Sequence, residues 1–304
     1  EYSALSTGSK ALALRCSGSA SDRSSACRRW LLPAALVLAG AAWFENFTLS
    51  SSTVEVRSAA LPAAFSGLRV VQISDLHGRR FDAESRYLLE LVRLQSPDLI
   101  ALTGDLADEF TDFSMLPPLL DGLTALAPTF YVTGNHEWVL SREKREALFS
   151  MLDAAGVVRL QNEYRLLKKG QASIVLAGVD DPNGPYDQKR PAQLVREIRQ
   201  SRGRDAYILM LSHRNDELDL WANMGVQTVL CGHGHGGIVR LPFVGAVFGT
   251  HLDLFPDYTA GLYRKGQTSM IVSRGLGGSR KLPLRIGNRP EIVTVILKAE
   301  SGKV

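Results

Sequence analysis

The sequence predicts an α/β fold in which one domain carries two facing β-sheets. Three observations predict it. Apolar, β-branched runs alternate with helical patterns from about residue 51 onward, polar residues able to do chemistry end most of those runs, and no clear linker divides residues 51 to 304. Such alternation makes parallel strands joined by crossovers, and these sheets bind ligands beyond the carboxyl ends of their strands. The 304 residues, 45% hydrophobic and 22% charged, suffice for one large core or two modest ones.

Residues 1–29 are rich in Ser and Ala and read as a targeting or disordered segment. Residues 30–49 hold the apolar run Trp30 to Phe44, preceded by Arg28-Arg29, the pattern of a twin-arginine export signal or a membrane anchor. The run is shorter than the roughly 20 residues that span a bilayer. Ala39-Gly40-Ala41 offers a cleavage site, Trp43 and Phe44 suit an interfacial anchor, and a buried helix of the folded domain is the plain alternative. Positive charge ahead of the run sets the expectation of a membrane-associated protein whose domain, residues 50–304, lies outside the cytoplasm. Of the three cysteines only Cys231 falls in that domain, where it reads as a small buried hydrophobe. The formal charge is +4, but residues 1–30 alone carry +3. The near-neutral remainder argues against a nucleic-acid partner.

Within the domain, Val54 to Val56 and Leu68 to Ile73 read as strands, then a helix from Glu84 to Leu94 with Tyr87, Leu88, Leu91 and Val92 on one face. A strand from Asp98 to Leu102, a helix from Met115 to Leu126 and a strand from Thr129 to Thr133 follow, then a helical pattern from Ser141 to Ala155. The second half repeats the logic more loosely. Strands are expected at Ser173 to Val179, Tyr207 to Leu211, Thr228 to Leu230, Met270 to Val272 and Ile292 to Leu297, with helices at Leu194 to Arg199 and Asp216 to Met224.

The strand ends carry the chemistry: Asp75-Leu76-His77, Gly104-Asp105-Leu106-Ala107-Asp108, Gly134-Asn135-His136-Glu137, His213 and Gly232-His233-Gly234-His235. Five of the six histidines sit in these motifs. Asp75, Asp105 and Asn135 recur every 30 residues, about one strand-helix-strand repeat, so each crossover returns a ligand to the same edge. Asp75 and His77 are alternate residues, which an extended chain aims at opposite faces. They converge on one ion only if the chain is already turning, which Gly78 permits. His233 and His235 flank Gly234 and can face different ions of a pair. Any one of these residues alone reads as a helix cap or a satisfied turn residue; their joint occurrence points to two divalent ions sharing a carboxylate.

Together the motifs resemble the full signature of the calcineurin-like metallophosphoesterases, over roughly residues 65 to 297. The apolar segment, with Ser273-Arg274-Gly275-Leu276-Gly277 and Arg289-Pro290-Glu291, is similar to one branch, the bacterial membrane-associated phosphodiesterases. The resemblance implies a metallophosphoesterase-type α/β sandwich of two mixed β-sheets flanked by helices. It assigns Asp75, His77 and His235 to a first ion, and Asn135, His213 and His233 to a second, with Asp105 bridging. It makes His136 the non-ligand histidine that protonates the leaving oxygen or stabilises the transition state, and Asp108 the partner of that histidine. The implied reaction is hydrolysis of a phosphate ester, in line, by a metal-bridging hydroxide. Mixed nitrogen and oxygen ligands suit Mn, Fe, Zn or Co. Substrates linked to a lipid or a nucleotide sugar fit an enzyme at a membrane.

Arg214-Asn215-Asp216 departs from the His-x-Pro-Asp run common in this branch, Gly234 stands where Thr is frequent, and Ile238 where Gln is often found. None of these removes a ligand. His77 and Asp108 separate the chain from the purple acid phosphatases, which use a Tyr where Asp108 stands. A non-catalytic scaffold on the same fold and a nuclease are the competing classes. The intact ligand set disfavours the first, and the absence of an aromatic-basic stripe the second.

Residues 236–290 hold Arg240, Arg264, Lys265, Arg274, Arg280, Lys281, Arg285 and Arg289 beside the apolar stretch Leu241 to Phe248. The stretch reads either as a hydrophobic lip whose cations attract anionic head groups or as a buried loop with solvated charges nearby.

Overall fold

The computed structural model describes residues 33, 35–37, 39–250, 252–278 and 285–300. The segment 1–29, with the arginine pair before the apolar run, lies outside these residues, as do Arg280 and Lys281. The chain divides into two compact units, Glu1–Ala41 and Ala42–Val304. In the first, the described residues are helical, and no described helix of the chain is long and apolar enough to cross a membrane.

The second unit contains two six-stranded mixed sheets. The first runs in the order β1 (Ser50–Ser58), β14 (Glu291–Ala299), β2 (Arg69–Ile73), β3 (Leu99–Thr103), β4 (Thr129–Val132), β5 (Val158–Arg159), with β2 to β5 parallel and β14 antiparallel to β2. The other runs β12 (Gly261–Lys265), β13 (Thr268–Val272), β9 (Thr228–Cys231), β8 (Ile208–Leu211), β7 (Ala172–Gly178), β6 (Glu163–Lys169), with the middle four parallel. Helices α1 (Arg86–Leu94), α2 (Leu116–Leu126), α3 (Asn135–Val139) and α4 (Arg142–Ala154) follow β2, β3 and β4, while α5 (Pro191–Arg202) and α6 (Leu218–Asn223) belong to the second half. A hairpin of β10 (Val239–Leu241) and β11 (Gly245–Phe248) stands apart.

Period-two alternation sorts the core into layers. Val70, Ala101, Val132, Leu176, Leu209, Leu211 and Ile271 fill the space between the sheets. Their neighbours Val71, Ile100, Leu102 and Tyr131 face outward onto Leu88, Leu116, Leu120 and Leu148. Val175, Ile208, Met210, Cys231 and Met270 face Leu194, Ile198 and Trp221 on the opposite side. Cys231 is the small buried hydrophobe its apolar run implies. Both sheets therefore bury both faces, which explains why their central strands read as unbroken apolar runs.

The structure corrects several details. Tyr87 is exposed, so α1 buries only Leu88 and Val92 completely. The Gly134-Asn135-His136-Glu137 turn is the start of a five-residue helix. Strands β6 and β12 lack an apolar run because each is an edge strand with mixed exposure.

Leu241, Phe243, Val244 and Phe248 are exposed, which removes the buried-loop reading of that stretch. The cations around it are mostly engaged elsewhere. Arg240 donates to the Gly236 carbonyl and Thr259, Arg274 pairs with Glu291 at 2.6 Å, Arg285 is buried among carbonyls, and Arg289 donates to Thr48 and Leu49. Among the described residues, the cations of the predicted rim are thus mostly held within the fold.

Candidate metal centre

The parallel strands β2, β3 and β4 deliver Asp75, Asp105 and Asn135 to one edge, and β8 and β9 deliver His213, His233 and His235. Asp75, His77, Asp105, His233 and His235 all adopt left-handed backbone, with φ of 50°, 48°, 54°, 66° and 49°. Such conformations cost non-glycine residues on the order of 1–3 kcal/mol and persist only where the surroundings fix them. They also resolve the alternation problem, because Asp75 and His77 turn together instead of facing opposite sides.

Backbone hydrogen bonds fix the turns. Asp75 N–H donates to Gly104 O at 3.0 Å, His77 N–H to Asp105 O at 2.9 Å and Gly78 N–H to Leu106 O at 3.0 Å. The His233 N–H donates to the Asp75 carboxylate at 3.0 Å, tying the two halves together. Close approach also requires glycine. A methyl on Gly104 would lie 2.6 Å from His213 Nδ1, and one on Gly134 would collide with the Asp105 carboxylate.

Two donor groups result. Asp75, His77, Asp105 and His235 place one ligand atom each within 4.8 Å of one another, and so do Asp105, His213 and His233. Asp105 belongs to both. Asn135 joins the second group, its Oδ1 3.2 Å from His213 Nε2. The His213 ring is oriented by Nδ1, 2.9 Å from the Thr103 carbonyl, which leaves Nε2 facing Asp105 Oδ2 at 3.2 Å.

The residues fit divalent ions. Both ring nitrogens of His77 and the Nδ1 of His235 are buried without a hydrogen bond. His77 Nε2 lies 3.6 Å from Asp105 Oδ2, and His235 Nε2 3.7 Å from Asp75 Oδ1. These separations are too long for hydrogen bonds and suit ligands converging on a shared ion with bonds of roughly 2.0–2.2 Å.

Charge in the centre is strongly coupled. Burial alone would lower His213, but Asp105 beside it overrides this and raises it to about 10. Asp105 is correspondingly held far below the usual carboxylate range, against its burial, by His213, His77 and His136. Burial, with the charges of His213 and Arg214, lowers His233 to about 3, and burial together with His77 lowers His235.

His136 sits at the start of α3. Its backbone N–H donates to Asp105 Oδ1 at 2.9 Å, and its ring meets that of His77 edge-on at 4.8 Å between centroids. Asp108 Oδ2 lies 3.5 Å from His77 Nδ1. The carboxylate thus touches a member of the first donor group, a contact that the resemblance did not imply.

Glu137 ends the Gly134-Asn135-His136-Glu137 motif, and neither its spacing nor the family resemblance assigns it a role. It is fully buried, and its carboxylate accepts the N–H groups of Gly134, Asp105 and Leu106 at 2.7, 3.0 and 2.7 Å. Burial, reinforced by Asp105, raises its pKa to about 7. Its position three residues after Gly134, at the third residue of a helix, was the available signal.

A model of the calcineurin-like phosphoesterase family matches residues 68–237. The chain is 30% identical over 267 residues to the uncharacterized metallophosphoesterase YkuE of Bacillus subtilis, covering 85% of this chain and 89% of that protein. It is 31% identical over 234 residues to the phosphodiesterase YaeI of Escherichia coli, covering 75% and 82%. It is 26% identical over 260 residues to a Danio rerio transmembrane protein with a metallophosphoesterase domain, covering 81% of this chain and 56% of that one.

Proposed function

Because the chain belongs to the calcineurin-like phosphoesterase family, we propose that this metal-dependent phosphoesterase hydrolyses phosphate diesters at a membrane surface. The observation that carries the catalytic reading is the pair of buried donor groups sharing Asp105. Asp75, His77 and His235 would hold one divalent ion and Asn135, His213 and His233 the other, with Asp105 available to both. When bound, two such ions offset charge on the phosphoryl oxygens and make hydroxide available near neutral pH.

The chain's own residues do the rest. Asp105 is aimed by Glu137 through its backbone and by the His136 N–H through its carboxylate. His136, outside the two donor groups, delivers a proton to the leaving oxygen. Asp108 holds His77 from the side away from Asp105. The backbone bonds of the turns and the close glycine contacts hold the ligand-bearing residues together.

The membrane reading is supported by two apolar surfaces that meet at residues 285–289. Trp43, Phe44 and Phe47 are exposed on the helical stretch 39–47, where Asn46 exchanges hydrogen bonds with the Arg285 backbone and Arg289 covers Phe44. The hairpin carrying Phe243 bridges Ile286 through Val239. The Danio rerio relative, a transmembrane protein, agrees with it. The arginine pair ahead of the apolar run adds export, with the catalytic unit outside the cytoplasm. Lipid-linked and nucleotide-sugar-linked phosphates are the substrate classes to screen first.

The test is elemental analysis of the purified full chain, joined to hydrolysis of bis(p-nitrophenyl) phosphate and of a panel of monoesters and diesters. Two ions per chain and diesterase activity that a chelator removes and Mn, Fe, Zn or Co restores are expected. A loaded chain that cleaves no ester would reduce the protein to a scaffold.

A further inference from the structure

An ion pair beside the second donor group is not needed to hold a metal. Asp181, in the loop after β7, is buried, and its carboxylate receives Arg214 side-on, from Nε at 2.6 Å and from Nη2 at 3.1 Å. Asp181 is itself anchored by its N–H to Thr133 Oγ1 at 3.2 Å, a hydroxyl that also accepts Trp138 Nε1. Arg214 follows His213 directly in the chain, and its Nη1 lies 3.1 Å from His233 Nε2. His233 turns its other nitrogen inward, with Nδ1 3.2 Å from His213 Nε2.

The donor inventory of Arg214 is then incomplete. A guanidinium has five N–H groups. Two go to Asp181; when His233 ligates through the inward Nδ1, its Nε2 carries the proton and accepts nothing, so the three N–H groups left on the Nη1/Nη2 edge have no acceptor among the described residues. The Asp181 clamp fixes the plane and presents that edge at the outer side of the second donor group. A clamped guanidinium edge matches two oxygens of a phosphate, which a lysine cannot do. An ion pair with one buried and one half-buried partner adds little stability compared with apolar packing, so its place here is better explained by what it positions. Arg214 and His213 also line a cavity of about 250 Å³ with Asp181, Pro185, Tyr186 and Lys189. That volume suits a substituent of about one ring.

We propose that Arg214 is a substrate-binding residue whose Nη1/Nη2 edge, held by Asp181, takes the non-bridging oxygens of the phosphate ester, with the ester's compact substituent in the adjoining cavity. The inference rests on the phosphoesterase reading. The competing role is that Arg214 only positions His233.

The experiment compares wild type, Arg214→Lys and Arg214→Met as metal-loaded full chains. It measures bound metal, the inhibition constant of inorganic phosphate, and kcat and KM for bis(p-nitrophenyl) phosphate. Arg214→Lys keeps a cation beside Asp181 and so stays informative if the Met variant fails to fold. Retained metal with phosphate inhibition weakened on the order of 10- to 100-fold, and a rise in KM larger than the fall in kcat, is expected for lost charge-assisted hydrogen bonds. Unchanged phosphate inhibition would overturn the proposal. So would loss of metal in Arg214→Lys with inhibition restored by excess metal, which marks a residue that only positions His233. A wild type that binds phosphate through Arg214 yet cleaves no ester would sink the phosphoesterase reading and leave Arg214 a phosphate-binding residue without a substrate ester.

Discussion

Glu137 holds Asp105 by its backbone, Oε2 accepting the Asp105 N–H at 3.0 Å while Oε1 accepts the next N–H, of Leu106, at 2.7 Å. The residue common to both donor groups is therefore aimed by a carboxylate that touches neither group through a side chain. In Glu137→Gln, an amide NH2 replaces one acceptor and leaves buried N–H groups facing a donor. The expected cost is about 1–3 kcal/mol of stability, with weaker metal retention. Denaturant unfolding of the metal-free chain and metal titration check both. A variant as stable as wild type would remove Glu137 from this role.

Asp105→Ala should empty both groups, because each loses a ligand and the shared charge. Asn135→Ala removes one neutral ligand from one group and should leave the group of Asp75, His77 and His235 loaded. Elemental analysis of the two variants gives the ordering directly. Two retained ions in Asp105→Ala would contradict the bridging role.

His136→Ala should keep its metal and lose rate, on the order of 10²–10⁴-fold for a missing general acid. The loss should shrink as the leaving alcohol becomes more acidic, since less proton transfer is then required. A series of aryl phosphodiesters measures the slope. Metal loss in this variant would make His136 a ligand instead.

The metal edge was legible in sequence because crossovers return to the same edge at a regular interval, so Asp75, Asp105 and Asn135 announce themselves by spacing. The conformation that makes the edge work was not. Asp and His tolerate a left-handed backbone better than most residues but do not demand it, and at Asp75 and His77 the contacts to Gly104, Asp105 and Leu106 impose it. The Arg214–Asp181 pair was equally hidden, since 33 residues and a helix separate its members and no periodicity links them. Strand β6 escaped because an edge strand with alternating exposure lacks the apolar run that betrays β7 and β8.

Metal loading should tighten with pH. Asp105 raises His213 to about 10 against the opposing effect of burial, well above its ordinary 6.5. The His213 proton therefore stabilises the metal-free fold fully below pH 6.5, and that contribution fades as pH rises through about 10. A divalent ion needs the nitrogen the proton occupies, so loading near pH 7 releases a proton. Apparent affinity should rise by up to about tenfold per pH unit between 7 and 9. Competition with a chelator, and calorimetry in buffers of different ionisation enthalpy, would measure affinity and proton release. A flat profile would contradict the pairing.

Membrane contact should depend on the apolar tip more than on charge. Phe243 is fully exposed at the turn of the β10–β11 hairpin, with Val244 and Phe248 exposed beside it. Among the described residues, Arg240, Arg274, Arg285 and Arg289 are already bound within the fold and so contribute little to attraction of anionic head groups. Burying one such aromatic ring is worth roughly 1.5–3 kcal/mol, whereas a surface cation adds about 1 kcal/mol and is screened by salt. The full chain should bind vesicles of mixed zwitterionic and anionic lipid with only a shallow salt dependence. Phe243→Ser with Val244→Ser should weaken that binding on the order of tenfold or more, leaving hydrolysis of a small soluble diester unchanged, because neither residue belongs to a donor group. A steep salt dependence, with no effect of the two substitutions, would transfer the contact from the hairpin to charge elsewhere in the chain.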